Sequence, residues 1–154
     1  MVGGVVMETK FNFKSQFCTS RFQSEHLLAL GLKKETADMV HFFSQSLAQD
    51  WTIVPLSDGE TARYIQGLEI PAWSLGRLLE MLPSPIPISK DLPTFHHYAY
   101  LDLSKVSVHY YWENYDGAER ALASFCSNSF FAAVVDATEW LIKEGNFPKE
   151  YLEE

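Results

Sequence analysis

The chain has 154 residues, a length typical of a single domain. Hydrophobic residues make up 47% of the sequence and charged residues 21%, so the composition predicts a globular protein with a core and excludes intrinsic disorder. The formal net charge is −8 and no lysine- or arginine-rich cluster interrupts it, which argues against nucleic acid as a partner because phosphate backbones are repelled.

The first seven residues, Met1 to Met7, are mostly apolar, but the run is too short for a signal peptide or a membrane span. We expect residues 1–10 to be a flexible tail, residues 11–154 to form one globular domain, and the protein to lie in the cytoplasm away from membranes. The cysteines, Cys18 and Cys126, have no CxxC spacing and fit reduced thiols, although a cross-link between them stays open.

The first predicted helix covers Ser20 to Leu30. Ser20 followed by Gln23 is a capping-box pattern for its start, and Gly31 is a typical residue after its end.

The next segment, residues 37–50, has two interpretations. Some of its apolar residues fit one face of a helix, but Met39 to Phe43 and Trp51 to Val54 are rich in strand-forming residues and flank a polar stretch. We favour a hairpin of two short strands.

Prolines mark the ends of the predicted elements in the middle of the chain. Trp73 to Leu82 is predicted to be a short amphipathic helix that ends at Pro83. The proline-rich stretch that follows carries one short extended segment, Ile86 to Ser89.

The last third combines strands with the longest helix. His96 to Asp102 and Val106 to Glu113 are the clearest strands, and Arg120 to Cys126 is a weaker one. Phe130 to Glu144 is predicted to be a helix. Its cap is Asn128 or Ser127, and its apolar positions are Phe130, Val134, Ala137 and Leu141.

Since the strands follow one another without helical crossovers, we predict an α+β fold. Its antiparallel sheet has about five or six short strands, and three helices accompany it. The long C-terminal helix packs on the sheet.

Five short sequence motifs are spread along the chain. They are Leu30-Gly31, Glu35 to Met39, Ile70 to Leu75, Leu78 to Pro83 and Glu139 to Gly145. The motifs, taken in this order, resemble those of a family of short proteins of gut Bacteroidales bacteria whose function is not established. The resemblance implies an α+β domain in a bacterial or prophage setting, and it supplies no catalytic residues.

Motifs for phosphate binding, acyl transfer or zinc binding do not occur in the sequence: it has no GxGxxG, GxSxG, HExxH or paired-cysteine signature. The adjacent pair His96-His97 would point to opposite faces of a strand and cannot bind one ion together. We therefore expect neither a cofactor nor a metal ion.

The strongest functional pattern is the alternation in the hairpin of the last third. A turn at Ser104-Lys105 would place Tyr98 opposite Tyr111 and Tyr100 opposite His109. The apolar face, predicted to be the core side, carries His97, Ala99, Leu101, Leu103, Val106, Val108, Tyr110 and Trp112. The opposite face carries aromatic and polar residues: His96, Tyr98, Tyr100, Asp102, Ser107, His109, Tyr111 and Glu113.

Tyrosine on an exposed face offers a large contact area at a low entropic cost, so this face is a candidate surface for binding another protein. The simpler alternative is that the aromatic pairs only stabilise the sheet. We favour a non-enzymatic protein-interaction module. The alternative function is a small hydrolase or other enzyme whose site is assembled from dispersed His, Asp and Glu residues.

Overall fold

The computed structural model describes residues 16–45, 50–93, 97–104 and 107–154. The predicted tail, residues 1–10, lies outside this part of the chain. The helices are α1 (Arg21–Ala29), α2 (Leu75–Met81) and α3 (Phe130–Lys143). The strands are β1 (Met39–Ser44), β2 (Asp50–Pro55), β3 (Glu69–Ala72), β4 (Ile86–Pro87), β5 (Tyr98–Leu103), β6 (Ser107–Glu113) and β7 (Glu119–Cys126). Single turns of 3₁₀ helix cover Lys34–Thr36 and Lys149–Tyr151.

The strands form two antiparallel sheets, with the orders β2-β1-β3 and β4-β5-β6-β7. The α+β class and the C-terminal helix are confirmed, but the strands divide between two sheets where one was predicted. Strand β3 was not predicted, and it ends the smaller sheet at its edge. Pro71 pairs with Val40 and has no N–H for a further strand, which suits an edge position.

Helix α1 begins and ends as its sequence predicts. Gln23 N donates to Ser20 Oγ (3.2 Å), and Ser20 N donates to Gln23 Oε1 (2.9 Å), which completes the capping box. At the other end Gly31 has φ +96°, and its N–H donates to Leu28 O (2.9 Å). Because this backbone conformation favours glycine, Gly31 ends the helix at little cost.

The predicted hairpin of residues 39–54 is also confirmed. β1 and β2 pair antiparallel, with Val40 opposite Val54 and Phe42 opposite Thr52. The helical interpretation of residues 37–50 is wrong for the described residues, because β1 has a partner strand on each side; residues 46–49 lie outside them.

Helix α2 starts two residues later than predicted. Ser74 is its N-cap and accepts a hydrogen bond from Arg77 N (3.1 Å), so Trp73 precedes the helix. Asp38 holds Ser74 in place by accepting a hydrogen bond from Ser74 N (2.8 Å). Trp73 is completely buried.

The cap predicted for α3, Asn128 or Ser127, is wrong. Ser129 caps the helix by accepting a hydrogen bond from Ala132 N (3.1 Å), because the residue directly before the first helical residue takes this role. The helix is buried on more sides than the predicted stripe: its buried residues are Phe131, Ala133, Val134, Val135, Ala137, Thr138 and Leu141. Phe130 is only half-buried.

A buried polar junction connects the start of α1 to the smaller sheet and to the segment before α2. Thr19 N donates to Trp73 O (2.9 Å), and Trp73 N donates to Thr19 Oγ1 (3.0 Å). The ring of His41, which is 6% exposed, lies with Nε2 2.7 Å from Thr19 O. Each of these buried polar groups therefore has a partner within the protein.

The junction makes stability depend on pH. Burial lowers the pKa of His41 below its ordinary value of 6.5, and the nearby charge of Arg21 lowers it further against the opposing hydrogen bond to Thr19. Because the unfolded chain then binds the proton more readily, the free energy of unfolding should fall as the pH drops below 6.5 towards the lower folded-state pKa.

We expect His41→Gln to flatten this part of the pH dependence. Glutamine keeps a donor for Thr19 O and does not titrate. Urea unfolding at several values between about pH 7.5 and about pH 5 measures the effect for both proteins. An unchanged slope in the variant would mean that another group is responsible.

Candidate interaction surface

The outer face is defined as the face of β5, β6 and β7 that points away from α3. Helix α3 packs on the opposite face, where the ring of Trp140 lies 6.0 Å from that of Tyr110 and 5.6 Å from that of Phe125. On the outer face Tyr98 is 49% exposed and Tyr100 is 39% exposed. The prediction that this aromatic face meets solvent is therefore confirmed.

The residues predicted for this surface are brought together with one exception. The structure places Tyr98, Tyr100, Asp102, His109, Tyr111 and Glu113 on the outer face of adjacent strands β5 and β6. Tyr98, Tyr100 and Asp102 are exposed, whereas the three residues of the central strand β6 are half-buried. His96 lies outside the described residues.

The predicted register is wrong by two residues, although the two faces keep their residues. Tyr100 lies opposite Tyr111 and Asp102 opposite His109. The hairpin closes where Ser104 N donates to Ser107 O (2.9 Å), and Lys105 of the predicted turn lies outside the described residues. A shift of two preserves the alternation of sides, which is why the face prediction survives the error in pairing.

Burial follows the prediction in the middle of the sheet and departs from it at both ends of β5, and Val106 lies outside the described residues. On the inner face Ala99, Val108 and Tyr110 are completely buried, but Leu103 is 44% exposed and His97 is also exposed. These two residues lie at or beside the ends of β5, whereas α3 packs mainly on β6 and β7. Alternation alone therefore overestimated the burial of the strand ends.

A chain of hydroxyl groups surrounds the imidazole of His109. Its Nδ1 lies 2.9 Å from Ser124 Oγ, and its Nε2 lies 2.7 Å from Ser107 Oγ, which also contacts Ser104 Oγ. A Ser–His contact of this length is the kind used to activate a nucleophile. However, Ser107 is 6% exposed, and a hydroxyl stands at Nδ1 where an orienting carboxylate would be expected. The arrangement fixes the His109 ring between β6 and β7.

A surface pocket of about 310 Å³ opens beside this ring on the outer face. It is lined by Asp102, His109, Tyr111, Glu119, Arg120 and Ala121. Its β7 residues were not predicted as part of the surface. A register shift in the pairing of β6 with β7 places Ala121 opposite Tyr111, and this small side chain leaves space next to the large ring.

Cys18 lacks the environment of a catalytic nucleophile. Burial and the nearby charge of Asp38 raise the pKa of Cys18 to about 11, and its side chain is 3% exposed. Both Cys18 and Cys126 are free thiols, so the cross-link left open by the sequence is not formed.

Within the described ranges, no group of three or more His, Cys, Asp and Glu side chains is placed to hold a metal ion. Of the helices in the same part of the chain, none combines the length and the apolar character needed to cross a bilayer. No family model, curated protein or solved structure matches the chain.

Proposed function

We propose that this protein is a non-enzymatic protein-interaction module and that the outer face of its four-stranded sheet is the contact surface. The observation that carries the proposal is the exposure of Tyr98 (49%) and Tyr100 (39%) side by side on the strand β5. Tyrosine is enriched at protein interfaces because it buries a large area while it loses few rotamers.

The stabilisation of the sheet alone is a weaker explanation of these tyrosines. The rings of Tyr100 and Tyr111 form one tilted cross-strand pair with centroids 6.4 Å apart. Such a pair contributes about 0.2–1 kcal/mol, which a smaller or less exposed pair could also supply. Tyr98 is the most exposed of the outer-face tyrosines, so its area gains the most from a bound partner.

The setting we propose is the bacterial cytoplasm. Its support is the pair of free thiols, since a reducing compartment keeps cysteines from cross-linking, together with the resemblance of the sequence to proteins of gut Bacteroidales bacteria. A hydrolase is the alternative function, and the contact between Ser107 and His109 is the observation that favours it. The burial of Ser107 weighs against it, because a substrate must reach a nucleophile.

The first test removes the exposed rings of the outer face. We expect the double change Tyr98→Ala and Tyr100→Ala to weaken partner capture, or self-association of the purified protein, by about tenfold or more. The free energy of unfolding should fall by only about 0.5–2 kcal/mol, because both tyrosines lie on the solvent-facing side of the sheet and are partly exposed. Analytical ultracentrifugation and quantitative capture from the native cell measure binding, and urea unfolding measures stability.

The matched control removes two exposed aromatic rings elsewhere, by Phe22→Ala and Tyr64→Ala. Phe22 is 79% exposed and Tyr64 is 44% exposed, and both lie far in the chain from β5. The control should keep the partners and the mass in solution of the wild type. If the outer-face variant also keeps its partners and its mass in solution, the tyrosines only stabilise the sheet and the proposed function is wrong.

A further inference from the structure

We propose that the outer-face pocket receives the cationic side chain of a basic partner segment, a lysine or an arginine. This inference rests on the proposed function and names the class of partner for the same surface. Three features of the pocket support this inference: the charges that line it, its aromatic wall and its size.

The charges at the pocket favour a cation. Asp102 and Glu119 both line it, and Glu113 stands directly opposite Glu119 in the pairing of β6 with β7. A bound cation gains attraction from the carboxylates that line the pocket.

One cation of the protein itself, Arg120, also lines the pocket. Its Nη2 lies 3.7 Å from Asp116 Oδ2, so its charge is partly balanced by an acid that does not line the pocket. Among the described lining residues, two acids therefore stand beside one cation. The chain as a whole carries a net charge of −8, which attracts a basic segment from a distance.

The aromatic wall adds a second attraction for the same ligand. Tyr111 lines the pocket, and the ring of Tyr100 lies next to it on β5. The face of a tyrosine ring attracts an ammonium or guanidinium group, and it also packs against the aliphatic stem of lysine or arginine. Acids and aromatic rings at one site select a cation with an apolar stem.

The size of the pocket suits a single side chain. Its volume of about 310 Å³ is at the low end of pockets for small ligands, which span about 300–1,000 Å³. Tyr98 and Tyr100 on the adjoining strand then provide a surface for the rest of the segment.

The experiment uses labelled peptides and fluorescence anisotropy with the full chain. The probes are a short arginine-rich peptide, the same peptide with citrulline in place of arginine, and a glutamate-rich peptide. Citrulline keeps the shape of arginine without its charge. We expect binding of the arginine-rich peptide alone, with an affinity that falls as salt is added because the pocket is open to solvent.

The pocket variant combines Asp102→Asn and Glu119→Gln. Its matched control combines Asp58→Asn and Glu144→Gln, which change the same residue types and the same net charge at exposed positions elsewhere. We expect the pocket variant to lose about tenfold or more in affinity and the control less than about twofold. Circular dichroism checks that both variants fold.

Three outcomes would overturn the inference. Equal losses in both variants would show attraction by net charge alone, equal binding of the citrulline peptide would show that charge is not recognised, and binding of the glutamate-rich peptide would point to Arg120. In each case the effect of the tyrosine variants on partner capture is still measured separately, so the proposed function stands or falls on its own result.

Discussion

Replacing Trp73 with alanine is expected to lower the free energy of unfolding by about 3–5 kcal/mol, the range for large aromatic residues removed from a core. Trp73 is completely buried, and its Nε1 donates to Thr36 Oγ1 (2.9 Å). The alanine variant therefore leaves a large cavity and a half-buried hydroxyl without its donor. Urea unfolding followed by fluorescence and by circular dichroism measures the loss.

A matched change at Trp51 serves as the control. Trp51 is only half-buried on β2, where the guanidinium of Arg21 lies 4.6 Å from the centre of its ring. Trp51→Ala removes the same side chain but opens the space to water, so its loss should be clearly smaller. Equal losses in the two variants would mean that Trp73 is not the buried centre of this junction.

Trp73 also shows where sequence reasoning fails. Its position two residues after Pro71 and ahead of several leucines suggested the start of an amphipathic helix. In the structure it precedes the cap Ser74, and its burial depends on Thr19 and Thr36, residues more than thirty positions away. Periodicity reports which residues are apolar in a local window, and it does not report which distant elements cover them.

The elements that the sequence predicted well depend on neighbours in the chain. The capping box of Ser20 and Gln23 and the ending at Gly31 involve residues within one turn of helix α1. The alternation of β5 and β6 likewise assigned Tyr98 and Tyr100 to the exposed face without knowledge of the register. These are interactions whose geometry is set by the backbone within a few residues.

The pocket on the outer face is the opposite case. It requires β7 to pair with β6, and it requires the shift between Tyr110 and Tyr111 that places Ala121 opposite Tyr111. Asp116-Gly117 between the two strands is typical of a hairpin turn, but the shift itself has no signature in the sequence. The tyrosines of the surface were therefore predictable, whereas Glu119 and Arg120 at its pocket were not.

The second large loss of stability is expected from a change in the C-terminal helix α3. We expect Leu141→Ala to cost about 2–5 kcal/mol of stability, because the leucine is completely buried on α3 and its removal leaves a cavity in the core. Its control is Leu103→Ala, the same chemical change at a residue that is 44% exposed, which should cost less than about 1 kcal/mol. The pair also tests the correction to the inner face of the hairpin, where alternation alone predicted Leu103 to be buried.

Urea unfolding of both variants at one pH gives the comparison. A cost below about 1 kcal/mol for Leu141→Ala would remove α3 from the core, and a large cost for Leu103→Ala would mean that the end of β5 is covered after all.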